Sequence, residues 1–115
     1  MDLSVTADGE SRYIVSCPEK MEWDARLDLA AIVDEAITES APRVILDLNN
    51  VSYINSAGLG AIFALRKRLV ASDGRLVLAR PAPAIQRLLR TVNVDKLIPV
   101  ADDLDHARQL LTTGH

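Results

Sequence analysis

Residues 44–60 read V-I-L-D-L-N-N-V-S-Y-I-N-S-A-G-L-G, and this stretch decides the fold. Val44, Ile45 and Leu46, with Leu48 after a single Asp, make a nearly unbroken apolar run, the pattern of a strand covered on both faces. A short loop follows through Asn49, Asn50 and Asn55. Ser56-Ala57-Gly58-Leu59-Gly60 then leads into residues 61–71, a segment of strong helix formers with an apolar stripe. Strand, tight loop, small residues and helix together place a serine hydroxyl at or next to a helix N-terminus. A serine there can cap unpaired backbone N–H groups. The same position suits a phosphate, because the free N–H groups and the helix dipole both favour negative charge.

Upstream of this unit, Leu3-Ser4-Val5-Thr6 alternates and Tyr13-Ile14-Val15-Ser16-Cys17 is rich in strand formers. Asp8-Gly9 between them is a turn pair suited to positive φ, which predicts a hairpin. Pro18 ends the second strand. The loop Glu19-Lys20-Met21-Glu22-Trp23 leads to Asp24, a plausible N-cap. Leu29, Ile32, Val33, Ala36 and Ile37 then fall on one helical face, and Pro42 stops that helix by disfavouring it in the residue before.

Downstream, Leu59, Ile62, Leu65 and Leu69 can face inward while Arg66, Lys67 and Arg68 stay in water. Ser72-Asp73-Gly74 is a turn and Arg75–Ala79 a strand. Pro83 suits a first helical position, with Ile85, Leu88, Leu89 and Val92 as the buried stripe. Leu97-Ile98-Pro99-Val100 reads as a short strand whose proline argues for a sheet edge. Asp102-Asp103 precede a last helix with Leu104, Ala107 and Leu111 inward. The predicted order is β-β-α-β-α-β-α-β-α, a single α/β domain over residues 1–115. Helical crossovers make its mixed sheet of four to five strands mostly parallel, with four helices.

Composition sets the remaining bounds. At 115 residues the chain is about one domain long. Aromatic residues supply only 3%, so the core must be aliphatic. A net charge of −3 gives no case for nucleic-acid binding, which normally needs a basic patch. Cys17 is the only cysteine and cannot form an internal disulfide, which fits a reducing compartment. No signal-peptide pattern opens the chain, and no apolar run is long enough to span a bilayer. These features imply a cytoplasmic protein that is not inserted in a membrane.

Signatures of catalysis are mostly missing. His106 and His115 have no second ligand at metal spacing. Gly58-x-Gly60 is followed by Phe63, so the dinucleotide fingerprint is incomplete, and a phosphate loop never occurs. Ser56 is not in a nucleophile elbow. Cys17, in an apolar strand, reads as a buried small hydrophobe. The expectation is a protein that is not an enzyme and uses no cofactor. Ser56 reads equally well as a structural cap. Gly58 and Gly60 cost helix stability, roughly 1 kcal/mol each in a helix interior, so something approaches the backbone there: a packed element of the same chain or a partner.

At these residues the chain resembles the STAS domains, found in sulphate transporters and in bacterial anti-sigma factor antagonists. The resemblance is carried by residues 44–60, close to the family's strand followed by D-S-[SA]-G-L-G. It continues through G-R-L-V-L-A-R-P-A-P-A-I-Q-R-L-L-R and V-D-K-L-I-P-V, residues 74–100, and the element order agrees over essentially the whole chain. It implies a partner-switching antagonist, with Ser56 phosphorylated by an anti-sigma factor that is also a serine kinase. Unphosphorylated antagonist would bind that kinase, and a separate serine phosphatase would restore the hydroxyl. The docking surface so implied comprises Asn55, Ser56, Ala57, Gly58 and Leu59, with Glu19, Met21 and Trp23 from the earlier loop. Two features depart from the pattern. Asn55 stands where the family has Asp, and Pro18-Glu19-Lys20-Met21 replaces a G-E-L-D-like loop. Trp23 reads slightly better as cover for the first helix than as a binding hot spot. The alternative function is a non-phosphorylated STAS subunit of a lipid-transport or sensory complex.

Overall fold

The structure, a computed structural model, describes residues 3–22 and 29–113. The hairpin forms as its turn pair predicts: β1 (Ser4–Ala7) runs antiparallel to β2 (Arg12–Ser16), with Gly9 at φ +102 in the turn. β2 pairs in parallel with β4 (Arg43–Asp47), and β4 with β6 (Arg75–Ala79). β6 pairs with β7 (Val100–Ala101) over two residues. The five-stranded sheet therefore has the order β1-β2-β4-β6-β7, with the apolar run of β4 at its centre. Two further strands, β3 (Lys20–Met21) and β5 (Tyr53–Ile54), form a separate parallel pair.

Alternation along the central strands divides the core in two. Val44, Leu46, Leu76 and Leu78 face the larger cluster with α1 (Leu29–Ala36), α2 (Ser56–Ala71) and α3 (Pro83–Thr91). Ile45, Val77 and Ala79 face Ala107 and Leu111 of α4 (Leu104–Thr113). Helices cover both faces, which is why β4 and β6 carry apolar residues at nearly every position. The expectation of an α/β fold with four helices and a mainly parallel mixed sheet agrees with this architecture.

Three local expectations are corrected. Residues 97–99 are not a strand: a 3-10 turn at Val94–Lys96 precedes them, and pairing with β6 begins only at Val100. Leu97 is about half exposed. Val92 is exposed because α3 ends at Thr91, so the apolar stripe stops one turn early. The pair β3–β5 replaces loop expected from the sequence, since two-residue strands carry no periodicity. Asp24, the expected cap of α1, lies outside the described residues, as does Trp23.

Candidate functional site

Ser56 stands where the small β3–β5 sheet delivers the chain into α2. Glu19 fixes the approach: its carbonyl accepts from Ser52 N at 2.8 Å and Tyr53 N at 3.3 Å. Met21 O accepts from Asn55 N at 3.3 Å. These bonds lock the loop after β2 to the residues just before the helix.

The cap of α2 is Asn55, not Ser56. Asn55 has extended backbone (φ −98, ψ −177), and its side-chain Oδ1 accepts from Gly58 N at 2.9 Å. Its carbonyl accepts the first intrahelical bond, from Leu59 N at 3.0 Å. Asn and Asp serve this role about equally, so the departure at residue 55 preserves the helix start. Ser56 is thereby the first helical residue. It is exposed, and its hydroxyl makes no hydrogen bond among the described residues. No acidic side chain lies in the first turn of α2, which leaves the positive end of a 16-residue helix dipole unneutralised beside that hydroxyl.

The neighbouring residues sort by exposure. Ala57, Gly60, Glu19 and Tyr53 are exposed, and Leu59 is half-buried. Gly58 is buried against β3: a Cβ placed there would overlap the Met21 carbonyl oxygen and lie 3.0 Å from Ile54 Cγ2. Gly60 has nothing within 4 Å of the corresponding position. The two glycines thus have different reasons. Internal packing demands the first, and nothing in this chain demands the second.

Two residues of the expected docking surface are corrected accordingly. Met21 is fully buried, with its side chain in the core beneath α2, and Gly58 is covered by it. Both shape the surface from below and offer a partner no side chain. Tyr53, 46% exposed and one position from the buried Ile54, was passed over. A lone aromatic in a loop-like stretch gave no signal until β5 fixed which way it faces.

The ionisable groups elsewhere in the fold are structural. Asp47, buried at the end of β4, is held by Arg80 at 2.5 Å (Nη2 to Oδ2) and accepts from Asn49 N at 3.1 Å. The hydrogen bond to Asp47 raises the Arg80 pKa above its ordinary value. Cys17 is buried next to this pair, and burial, followed by the charge of Asp47, pushes its thiol up to about 12. It is an inert core thiol. His106 packs at the start of α4, where its backbone N donates to Asp103 Oδ1 at 2.7 Å.

A model of the STAS domain matches residues 14–107. The chain belongs to the STAS domain family. Among relatives, this STAS domain is 26% identical over 113 residues to BtrV, a candidate anti-sigma factor antagonist of Bordetella bronchiseptica, covering 97% of each chain. Its fold is similar to the crystal structure of an anti-sigma factor antagonist from Mycobacterium paratuberculosis, with a TM-score of 0.78 at 21% identity over 96% of this chain and 95% of that one. It is also similar to the Bacillus cell fate determinant SpoIIAA in its phosphorylated form (TM-score 0.69, 16% identity, 94% and 98% covered). At these identities the likeness is one of fold. No described helix of the STAS domain is long and apolar enough to cross a membrane.

Proposed function

We propose that this STAS domain is a cytoplasmic anti-sigma factor antagonist that switches partners through Ser56. Unmodified, it binds an anti-sigma factor serine kinase with the surface around Asn55, Ser56, Ala57, Leu59 and Glu19. Phosphorylation of Ser56 releases it, and a serine phosphatase returns it to the binding form. The observation that carries the reading is the exposed, unbonded hydroxyl of Ser56, left free because Asn55 caps the helix. The names of the relatives point the same way. The domain is then a substrate and a binding module, neither an enzyme nor a nucleic-acid binder, and ATP belongs to the kinase.

The physics of the site suits a surface switch. A phosphate adds about −1.5 to −2 charge at pH 7. Placed on the first residue of α2, it meets the helix N-terminus, which favours negative charge, so the fold persists. Docking fails instead, because an interface would have to desolvate that charge and accommodate its bulk. Gly60 adds a flat, exposed patch of helix backbone where a partner can approach closely.

The test pairs Ser56→Asp and Ser56→Ala with the kinase partner and with mass spectrometry of protein from its native host. Ser56→Asp is expected to abolish kinase binding with an unchanged circular dichroism spectrum, and Ser56→Ala to bind constitutively. Tight binding by Ser56→Asp would overturn the switch. Absence of phosphate together with co-purifying transporter or sensor subunits would instead support a non-phosphorylated STAS subunit of a lipid-transport or sensory complex.

A further inference from the structure

The edge of β6 that faces β7 is only half used. Leu78 N donates to Pro99 O at 2.9 Å and Arg80 N to Ala101 O at 3.0 Å, and the register begins at Leu78↔Val100. Leu76, two residues earlier, turns its N–H and C=O to the same side, since alternate residues of a strand bond to alternate neighbours. The next donor in this ladder would be residue 99, a proline with no N–H. Leu97, beyond it, has helical rather than extended backbone. The first half of β6 therefore has no strand partner on this side, and Leu76, 6% exposed, is reached only through the groove beside it.

A groove of about 130 Å³ runs along this edge, between Arg66 and Val70 of α2 on one side and Leu97 and Pro99 on the other. Val70 and Leu97 present about half of their surface to water, at 52% and 49%. Arg66 and Arg75 also line the groove, and neither makes an ion pair among the described residues. Arg75 stands opposite Arg43 in the sheet, and Arg43 opposite Arg12. Among the described residues only Arg12 of that row has a carboxylate, Asp8 at 3.0 Å. Like charges on neighbouring strands repel, so a carboxylate set against Arg75 and Arg66 would relieve that repulsion.

We infer that this groove docks an extended, acidic segment of a partner protein. The segment adds as a short strand beside Leu76, seats a large apolar side chain between Val70 and Leu97, and sets carboxylates against Arg66 and Arg75. Strand addition divides its labour in this way: main-chain bonds supply affinity, and pockets for alternate side chains supply specificity. Val70 lies 14 residues along α2 from Ser56, roughly 21 Å at the helical rise. Both surfaces can be occupied at once, so this one is independent of the switch proposed above.

The test is to pan a library of random linear peptides, about 12 residues long, against the intact chain and map the winners by amide NMR. The expected result is enrichment of Asp or Glu around a Leu, Phe or Trp, with shifts at Leu76, Val77 and Leu97 and slowed hydrogen exchange of the Leu76 amide. Affinity should fall on the order of tenfold or more in Arg66→Glu/Arg75→Glu, and also in Val70→Ser/Leu97→Ser, whose altered side chains are at the surface. The inference is overturned if no acidic sequence is enriched, or if the enriched peptides map to Ser56 and its neighbours. It is equally overturned if the groove is filled by a second copy, seen as groove shifts that grow with protein concentration, or responds only to phosphatidylserine vesicles.

Discussion

Gly58→Ala and Gly60→Ala should move stability in opposite directions, although the two positions are two residues apart in the same turn of α2. At residue 58 the new methyl group falls on the Met21 carbonyl and presses Ile54 Cγ2 at 3.0 Å. To regain an ordinary non-bonded separation near 3.5 Å, β3 or the helix must retreat by roughly 1 Å. Overpacking of this kind costs about 1–3 kcal/mol. The retreat also stretches the Asn55 N–Met21 O bond, already 3.3 Å, whose loss adds about 1 kcal/mol. Against this, alanine returns at most about 1 kcal/mol of helix propensity. The net expectation is a loss of roughly 2 kcal/mol, or about 8 °C in Tm for a domain of this size. At residue 60 nothing opposes the methyl group, so the same substitution should stabilise by up to about 1 kcal/mol. Urea titrations and thermal circular dichroism on the two variants decide the matter. A Gly58→Ala protein as stable as the parent would refute the assigned contact between α2 and β3, and a destabilised Gly60→Ala would refute the open space assigned at residue 60.

Asn55→Ala removes the bond to Gly58 N and should cost about 1 kcal/mol by urea denaturation, whereas Asn55→Asp keeps the cap and the stability. Asp8 is hydrogen-bonded by Arg108 and then by Arg12, which hold its pKa below the ordinary carboxylate value. Its stabilisation is therefore fully present above the ordinary carboxylate range and lost as pH falls through the depressed value, so Asp8→Asn should lower the urea midpoint at pH 7, with the gap to the parent narrowing as the pH is lowered. With its pKa pushed up to about 12, Cys17 carries almost no thiolate at pH 8. Ellman's reagent should leave the folded protein unlabelled and react stoichiometrically in urea; rapid labelling of the native state would contradict the burial.

The sequence was most informative where one physical demand acts over several residues. The apolar run at residues 44–48 could only be a strand with both faces covered, and the Asp8-Gly9 pair between two β-rich runs could only be a turn. Short features escaped for the opposite reason. Lys20–Met21 and Tyr53–Ile54 pair over two positions each, too few for a period. Met21 looked like part of a variable loop until that pairing carried it beneath α2. The cap was misread between neighbours, because Asn and Ser are both good N-caps and one residue's difference in register is invisible without backbone angles. Val92, expected in the buried stripe of α3, is exposed because hydrophobicity alone does not fix which side of an element's end a residue occupies.

The carboxylate of Asp8 grips Arg108 across 100 positions of chain, at 2.9 Å and 3.1 Å. Closing a loop of that length costs on the order of 4 kcal/mol in chain entropy before any contact is made. Such a clasp cannot help to nucleate the molecule; it fastens only after the parallel strands have already brought the hairpin and the last helix together. Loosening it should therefore leave the rate of folding nearly untouched and quicken unfolding, so that its purpose is the lifetime of the native state rather than the route to it.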